Sequence, residues 1–236
     1  MKSGEMRQVE YPEIRELMLP GDVIAFGGDN CFSKIIKLVT RSNVSHLGII
    51  LQRENDQGSV NEFSNKIIEA NGEGITTNTF SDVLKDYGGD VWWLPLNNEI
   101  RNNYFDENKF REFLGFHLDQ RKKYDLWQVV KLAIDILSKI PFLDRLVHNK
   151  ENFDKFFCSE LVAAGIKAAG IAENINSSRV TPIDLCRWKI YDNVYYQLKK
   201  ETPKYISGYN SKEISKHFNL KDKIKSKLIK WKLVSN

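Results

Sequence analysis

The sequence predicts an α+β fold built around one sheet and one buried helix. Three observations point that way: segments 22–26, 44–51, 66–70 and 90–96 read as strands closed by turn residues, broad apolar stripes at helical spacing mark 106–120 and 126–139, and a small-residue apolar helix covers 156–170 with a cysteine at its mouth. The 236 residues, 42% of them hydrophobic, suffice for one catalytic-sized domain with elaborations. We place that domain at 1–205, with a helical insertion at 126–155, and a basic amphipathic tail at 206–236.

Charge is unevenly spread. The formal net charge is +4, yet eight lysines against Glu213 and Asp222 give residues 211–236 a local +6 and leave −2 for the rest. The lysines interleave with Ile214, Phe218, Leu220, Ile224, Leu228, Ile229, Trp231 and Leu233. A terminal helix packed on the domain would show this pattern, and an anionic membrane surface would be attracted by it. Nucleic acid is not an expected partner, because the basic residues are confined to one end and no reading motif accompanies them. Residues 1–7 lack the apolar core of a signal peptide and no apolar run has bilayer-spanning length, so a soluble, cytoplasmic protein is the expectation. Cys31, Cys158 and Cys186 are odd in number, widely spaced and without a CxxC pair, which argues against a disulfide framework and a cysteine zinc site. No metal or cofactor is expected.

In chain order, residues 11–19 read as a short helix ended by Pro20-Gly21. The strand 22–26 closes on Gly27-Gly28-Asp29-Asn30, after which Phe32, Ile35, Ile36 and Val39 form the apolar stripe of a helix that Ser42-Asn43 breaks. Segment 44–51 is the clearest strand, with Ser45, Leu47, Ile49 and Leu51 on one face and Val44, His46, Gly48 and Ile50 on the other. A polar loop containing Gly58 leads to the strand 66–70 and the turn Asn71-Gly72-Glu73-Gly74, a hairpin reading. Ser81 is expected to cap a short helix through Tyr87, and 90–96, apolar on both faces, to be a covered, central strand. His117 falls on the stripe of 106–120 and reads as a helix residue rather than a ligand. Thr181-Pro182 opens a short helix carrying Cys186, and 193–198 is a late strand.

Three of these segments carry chemistry. Leu161, Gly165 and Ala168, extended by Val162, Ile166 and Ala169, place Cys158 at the start of a buried helix that Gly170 stops. A thiol there meets unpaired backbone N–H groups and the positive end of the helix dipole, which favour a thiolate and could hold a developing oxyanion. Alone, such a cysteine is more often a packed core residue. His46 supplies a base, and Gly48 on its face leaves room for another element to approach the imidazole. Glu69 supplies an orienter if its strand pairs antiparallel with that of His46. The order His46, Glu69, Cys158 is that of a permuted thiol hydrolase, since in the usual papain order the cysteine helix comes first.

The motifs Gly21-Asp22-Val23-Ile24, Ser45-His46-Leu47-Gly48-Ile49, Ile68-Glu69-Ala70, Tyr124-Asp125, Phe157-Cys158-Ser159-Glu160-Leu161-Val162 and Thr181-Pro182-Ile183-Asp184-Leu185 occur in this order. Together the set resembles the circularly permuted papain-fold hydrolases, the YiiX/YebB-like branch of the NlpC-type cysteine peptidase superfamily. The resemblance implies an antiparallel sheet of about five or six strands packed on the cysteine helix, with Cys158 as nucleophile, His46 as base and Glu69 as orienter. It further implies hydrolysis of an amide, often in peptidoglycan-type peptides, or of an ester in an acyl conjugate, without a cofactor. Lecithin-retinol acyltransferases share the permuted fold but usually carry a second histidine as the third polar residue, so Glu69 favours the YiiX-like branch. Asp22, Tyr124, Ser45 and Ser159 are candidate cleft or substrate-binding residues. The 126–155 segment and the basic tail depart from the family pattern. Two further readings remain open: lipid acyl transfer or hydrolysis at a membrane, prompted by the apolar stripe at 126–140 and the lysine-rich end, and a non-catalytic binding module on the same fold.

Overall fold

The computed structural model describes residues 4–55, 63–71, 74–119, 157–172, 175–199 and 202–214. The expected insertion, Tyr124 and the tail beyond residue 214 lie outside the described residues. The chain opens with β1 (Glu5–Gln8) and α1 (Tyr11–Ile14), which runs into a 3-10 turn, followed by β2 (Val23–Gly27), α2 (Cys31–Thr40), β3 (His46–Asn55), β4 (Phe63–Asn71), β5 (Gly74–Thr79), α3 (Phe80–Asp86) and β6 (Asp90–Leu94). Helices α4 (Asn98–Asn103), α5 (Glu107–Asp119), α6 (Phe157–Ala168) and α7 (Pro182–Arg187) precede β7 (Val194–Lys199).

The sheet is larger than the sequence suggested and is not purely antiparallel. It has seven strands in the order β1-β7-β6-β2-β3-β4-β5, and β1 pairs parallel with β7. The two strands missed are its edges. β1 is largely exposed and is defined by its backbone pairing, as when Glu5 N–H donates to Asn193 O at 2.7 Å. β5 is threonine-rich and half-exposed, so neither strand carries a period-two apolar signal.

The inner strands are buried on both faces, which explains their unbroken apolar runs. Val23, Ala25, Leu47, Ile49, Ile68, Ala70, Trp92 and Leu94 point to one side and pack with the buried face of α6. Ile24, Phe26, Ile50, Ile67, Val91 and Trp93 point to the other and pack with Tyr11, Ile14, Met18 and Phe80. Three layers result, with the sheet in the middle.

Local signals place most helix ends. Asn30 caps α2 by accepting from Ser33 N–H at 2.8 Å, and Arg41 ends it in the left-handed region with φ 48°. Thr181 caps α7 by accepting from Asp184 N–H, with Pro182 in the first turn, as expected. Ser81 does not cap α3: the helix already starts at Phe80, and Thr79 precedes it without a side-chain cap bond. No helix among the described residues is long and apolar enough to cross a membrane.

Candidate active site

His46 is the first residue of β3. Its partner across the β2–β3 ladder is Phe26, and the two rings lie 5.4 Å apart, tilted by 39°. On the other side β4 runs antiparallel with Glu69 opposite Gly48, which makes Glu69 a diagonal neighbour of His46, within reach of a long side chain. Glu69 makes that crossing, and its Oε2 lies 2.7 Å from His46 Nε2 with both side chains nearly buried. Gly48, opposite Glu69, puts no side chain in the way of that crossing, and a Cβ there would also fall 2.5 Å from Cδ1 of Ile67 on β4.

Cys158 sits in the first turn of α6 and is fully buried. The helix lies on the sheet through Leu161, Val162, Ala163 and Ile166, the larger of which gain about 1.5–3 kcal/mol each from burial. Gly165 lets α5 come close, since its Cβ would stand 3.4 Å from Leu114 and Phe110, and Gly170 stops the helix with φ 88°. The start of α6 is tied down: Ser159 Oγ donates to Val180 O at 2.6 Å and Ser178 Oγ to Glu160 Oε1 at 2.5 Å.

Strand alternation puts Leu47 and Ile68 under α6 and turns His46 and Glu69 to the opposite face. His46 nevertheless interacts with Cys158. Burial alone would push the imidazole pKa down. Cys158, by charge and by hydrogen bond, and then Glu69, carry it up to about 10. Nε2 is engaged by Glu69, while Nδ1 is buried and finds no hydrogen-bond partner among the described residues.

No family model and no curated protein matches the chain. What the site can do therefore rests on its own geometry. Cys186 offers a contrast to Cys158: it is fully buried on α7 among Tyr191, Tyr195 and Tyr209, and burial pushes its thiol up, away from reactivity. Among the described residues no group of three or more His, Cys, Asp or Glu side chains is placed to hold a metal ion.

The other candidates separate. Asp22 is not a cleft residue. It precedes β2 at the end opposite Phe26, four residues and about 13 Å along the strand from the ladder position of His46. Its carboxylate accepts from Leu19 N–H, Trp93 Nε1–H and Leu96 N–H, each at 2.9 Å, and from Arg101 Nη2 at 2.6 Å. It is a buried brace between β2, β6 and α4. Ser159 holds the start of α6 through Val180, and Tyr124 lies outside the described residues.

Ser45 directly precedes His46 in the chain. Its Oγ accepts from Gly28 N–H at 3.1 Å and donates to Phe26 O at 3.2 Å. Tyr87, which the sequence did not single out, lies nearby. The Tyr87 ring lies 4.8 Å from that of Phe26. Burial pushes the Tyr87 phenol up, Ser45 pulls against the rise, and the charges of Glu69, Asp29 and Cys158 add to it. One signal in the sequence bore on this arrangement. The pairs Gly27-Gly28 and Gly88-Gly89 permit a close backbone crossing, in which a Cβ on Gly89 would fall 2.5 Å from Gly27 O and one on Gly28 would fall 2.9 Å from Tyr87 Oη.

Proposed function

We propose that this chain is a cysteine hydrolase that cleaves an amide or ester through an acyl-thioester, on a permuted papain-like fold. The observation that carries the reading is His46 bonded to Glu69 at Nε2 and interacting with Cys158, so that in the proposed reaction the thiol proton passes to His46. The Cys158 helix lying on an inner antiparallel sheet is compatible with the permuted fold.

In the proposed reaction the Cys158 sulfur attacks the carbonyl carbon and a C–S bond forms as the carbonyl electrons move to oxygen. The backbone N–H of Cys158, at the helix start, stabilises that oxyanion. His46 gives its Nδ1 proton to the leaving amine or alcohol, and the C–N or C–O bond breaks. Water then adds to the thioester, His46 takes its proton, and the C–S bond breaks to release the acid and restore the ion pair. Glu69 keeps the ring oriented throughout.

The substrate class proposed is a peptide, including peptidoglycan-type peptides, or an acyl conjugate. Lipid acyl chemistry and a non-catalytic binding role remain the alternatives, and the apolar stripe and most of the tail that prompted the first lie outside the described residues. Screening such substrates tests the proposal: turnover should vanish in Cys158→Ala and survive in Cys31→Ala and Cys186→Ala. Full turnover in Cys158→Ala would overturn it.

A further inference from the structure

The segment 202–206 is strapped across one end of the sheet by side chains of separate elements. From β6, Asp90 Oδ2 accepts from Lys204 Nζ at 2.8 Å and Trp92 Nε1–H donates to Lys204 O at 2.9 Å. From β7, Gln197 Nε2 donates to Thr202 O at 3.1 Å, Gln197 Oε1 accepts from Lys204 N–H at 2.9 Å, and Tyr195 Oη accepts from Ile206 N–H at 2.8 Å. Asn43, ahead of β3, donates through Nδ2 to Tyr205 O at 3.0 Å. Asp90, Trp92, Tyr195 and Gln197 are buried, so the strap is fixed from beneath, yet Tyr205 is 62% exposed. From this geometry we infer that the strap borders the thiol hydrolase site proposed above, on which the inference rests, and that Tyr205 is its specificity residue, receiving an aromatic or apolar side chain of a peptide substrate.

Ladder pairing puts the strap at the His46 end of the sheet. Phe26 pairs with His46 on one side and with Val91 on the other, and Val91 pairs with Lys199, so a single row runs from His46 across β2 and β6 to the end of β7. The strap returns from that end past Trp92 and reaches Asn43, three residues ahead of His46. Three residues of chain span at most about 11 Å, the length of three residues of an extended substrate. Tyr205 is thereby within reach of a side chain a few residues from the scissile bond. Ile206 packs into the same core as Val44, Trp92 and Cys158, which sets the strap on the α6 side of the sheet. The charge of Lys204 is compensated by Asp90, whose carboxylate is itself buried, so the strap is not built to hold an acidic group. What it presents outward is the Tyr205 ring, on a backbone tied at 204, 205 and 206. A ring carried in this way offers a large contact area and loses little conformational freedom when a substrate packs on it.

The test is the rate at which Cys158 is alkylated by iodoacetyl-glycyl-phenylalaninamide and by its glutamate counterpart, read by peptide mass spectrometry. Each rate is divided by that of the alanine counterpart, so that any change in the thiol itself cancels. Wild type should favour the phenylalanine probe about two- to tenfold, the scale of one aromatic pair, and should not favour glutamate. Tyr205→Ala should bring the phenylalanine ratio close to one, Tyr205→Phe should keep it, and Asn43→Ala, which cuts a tie of the strap, should lower it. A merely structural Tyr205 would move the melting temperature and leave the ratio alone. If Tyr205→Ala does not fold, Asn43→Ala carries the same readout. A wild-type ratio in the folded variants, or a wild type that favours glutamate, would overturn the role of Tyr205 while leaving the thiol reading intact. A wild-type Cys158 no more reactive toward iodoacetamide than the same residue in the denatured chain would overturn that reading, and this inference with it.

Discussion

Glu69 holds His46 from the neighbouring strand, oxygen to nitrogen at 2.7 Å, although the two residues are not ladder partners. The diagonal works because Gly48, the true partner of Glu69, offers no side chain to block it. The Cys158 labelling rate at pH 7 should therefore fall in the order wild type, Glu69→Gln, His46→Ala, since glutamine keeps an oxygen for Nε2–H but not the charge. On any substrate turned over, His46→Ala should lose roughly 10²–10⁴-fold, the scale of acid–base catalysis. Equal rates in all three proteins would remove His46 from the mechanism.

The protonation of His46 can be followed directly. Cys158 and Glu69 raise the imidazole to about 10 against its burial, so its NMR signals should stay constant from pH 5 to 8 and move only near pH 10. Because the folded pKa lies above the ordinary 6.5, the linked stability is complete below that value and lost as pH rises through the folded one. In Cys158→Ala the midpoint should drop. An unchanged midpoint would mean that sulfur is not the partner.

Cysteine labelling should also separate the two buried thiols by their surroundings. Cys186, packed among tyrosines with its thiol pushed up, should react only when the protein unfolds, so its rate should follow denaturant-dependent opening. Cys158 should react from the native state. Labelling of Cys186 ahead of Cys158 in native protein would reverse the assignment.

Asp22 and Arg101 form a buried brace, so Asp22→Ala should cost about 3–5 kcal/mol in urea unfolding, as expected when one partner of a buried pair is removed. Burial raises the Asp22 carboxyl to about 6, over the opposing pull of Arg101 and the N–H donors. Its contribution is then fullest below the ordinary carboxylate value of 3.8 and is lost as pH rises through about 6. The stability gap between wild type and Asp22→Asn should accordingly be smaller at pH 7 than at pH 4. A gap that widens with pH would show that the donors outweigh burial.

A Cβ at Gly48 would collide with Ile67, the flexible end of a neighbouring side chain, so Gly48→Ala should destabilise by about 1–3 kcal/mol rather than prevent folding. Thermal unfolding measures it, and a neutral result would mean that Ile67 can turn aside without loss.

Much of the site was legible because its parts announce themselves locally. The run from Val44 to Leu51 alternates around a histidine, Ile68-Glu69-Ala70 sits in a short strand, and the small-residue helix after Cys158 ends in glycine. Each bears a pattern set by burial on one face or both. Tyr87 was illegible for the opposite reason. Its ring packs on Phe26, which is distant in sequence, and nothing around it repeats. Asp22 misled because a carboxylate beside a strand reads alike whether it faces a cleft or four buried donors. The edge strands β1 and β5 escaped notice because they bury little, and their existence is decided by partners elsewhere in the chain.

The parallel pairing of β1 with β7 also bears on how the protein is made. A ribosome releases Glu5 roughly 10–40 s before Val194 at about 5–20 residues per second, so β1 has no partner for most of synthesis. The hairpin of β3 and β4 needs no such wait, and the histidine and glutamate can associate while the chain is still growing. The cysteine emerges much later, and the first and last described strands close the sheet edge only after it. The three residues of the proposed site are thus brought together late in biogenesis, so the proposed thiol chemistry would be held back in the nascent chain.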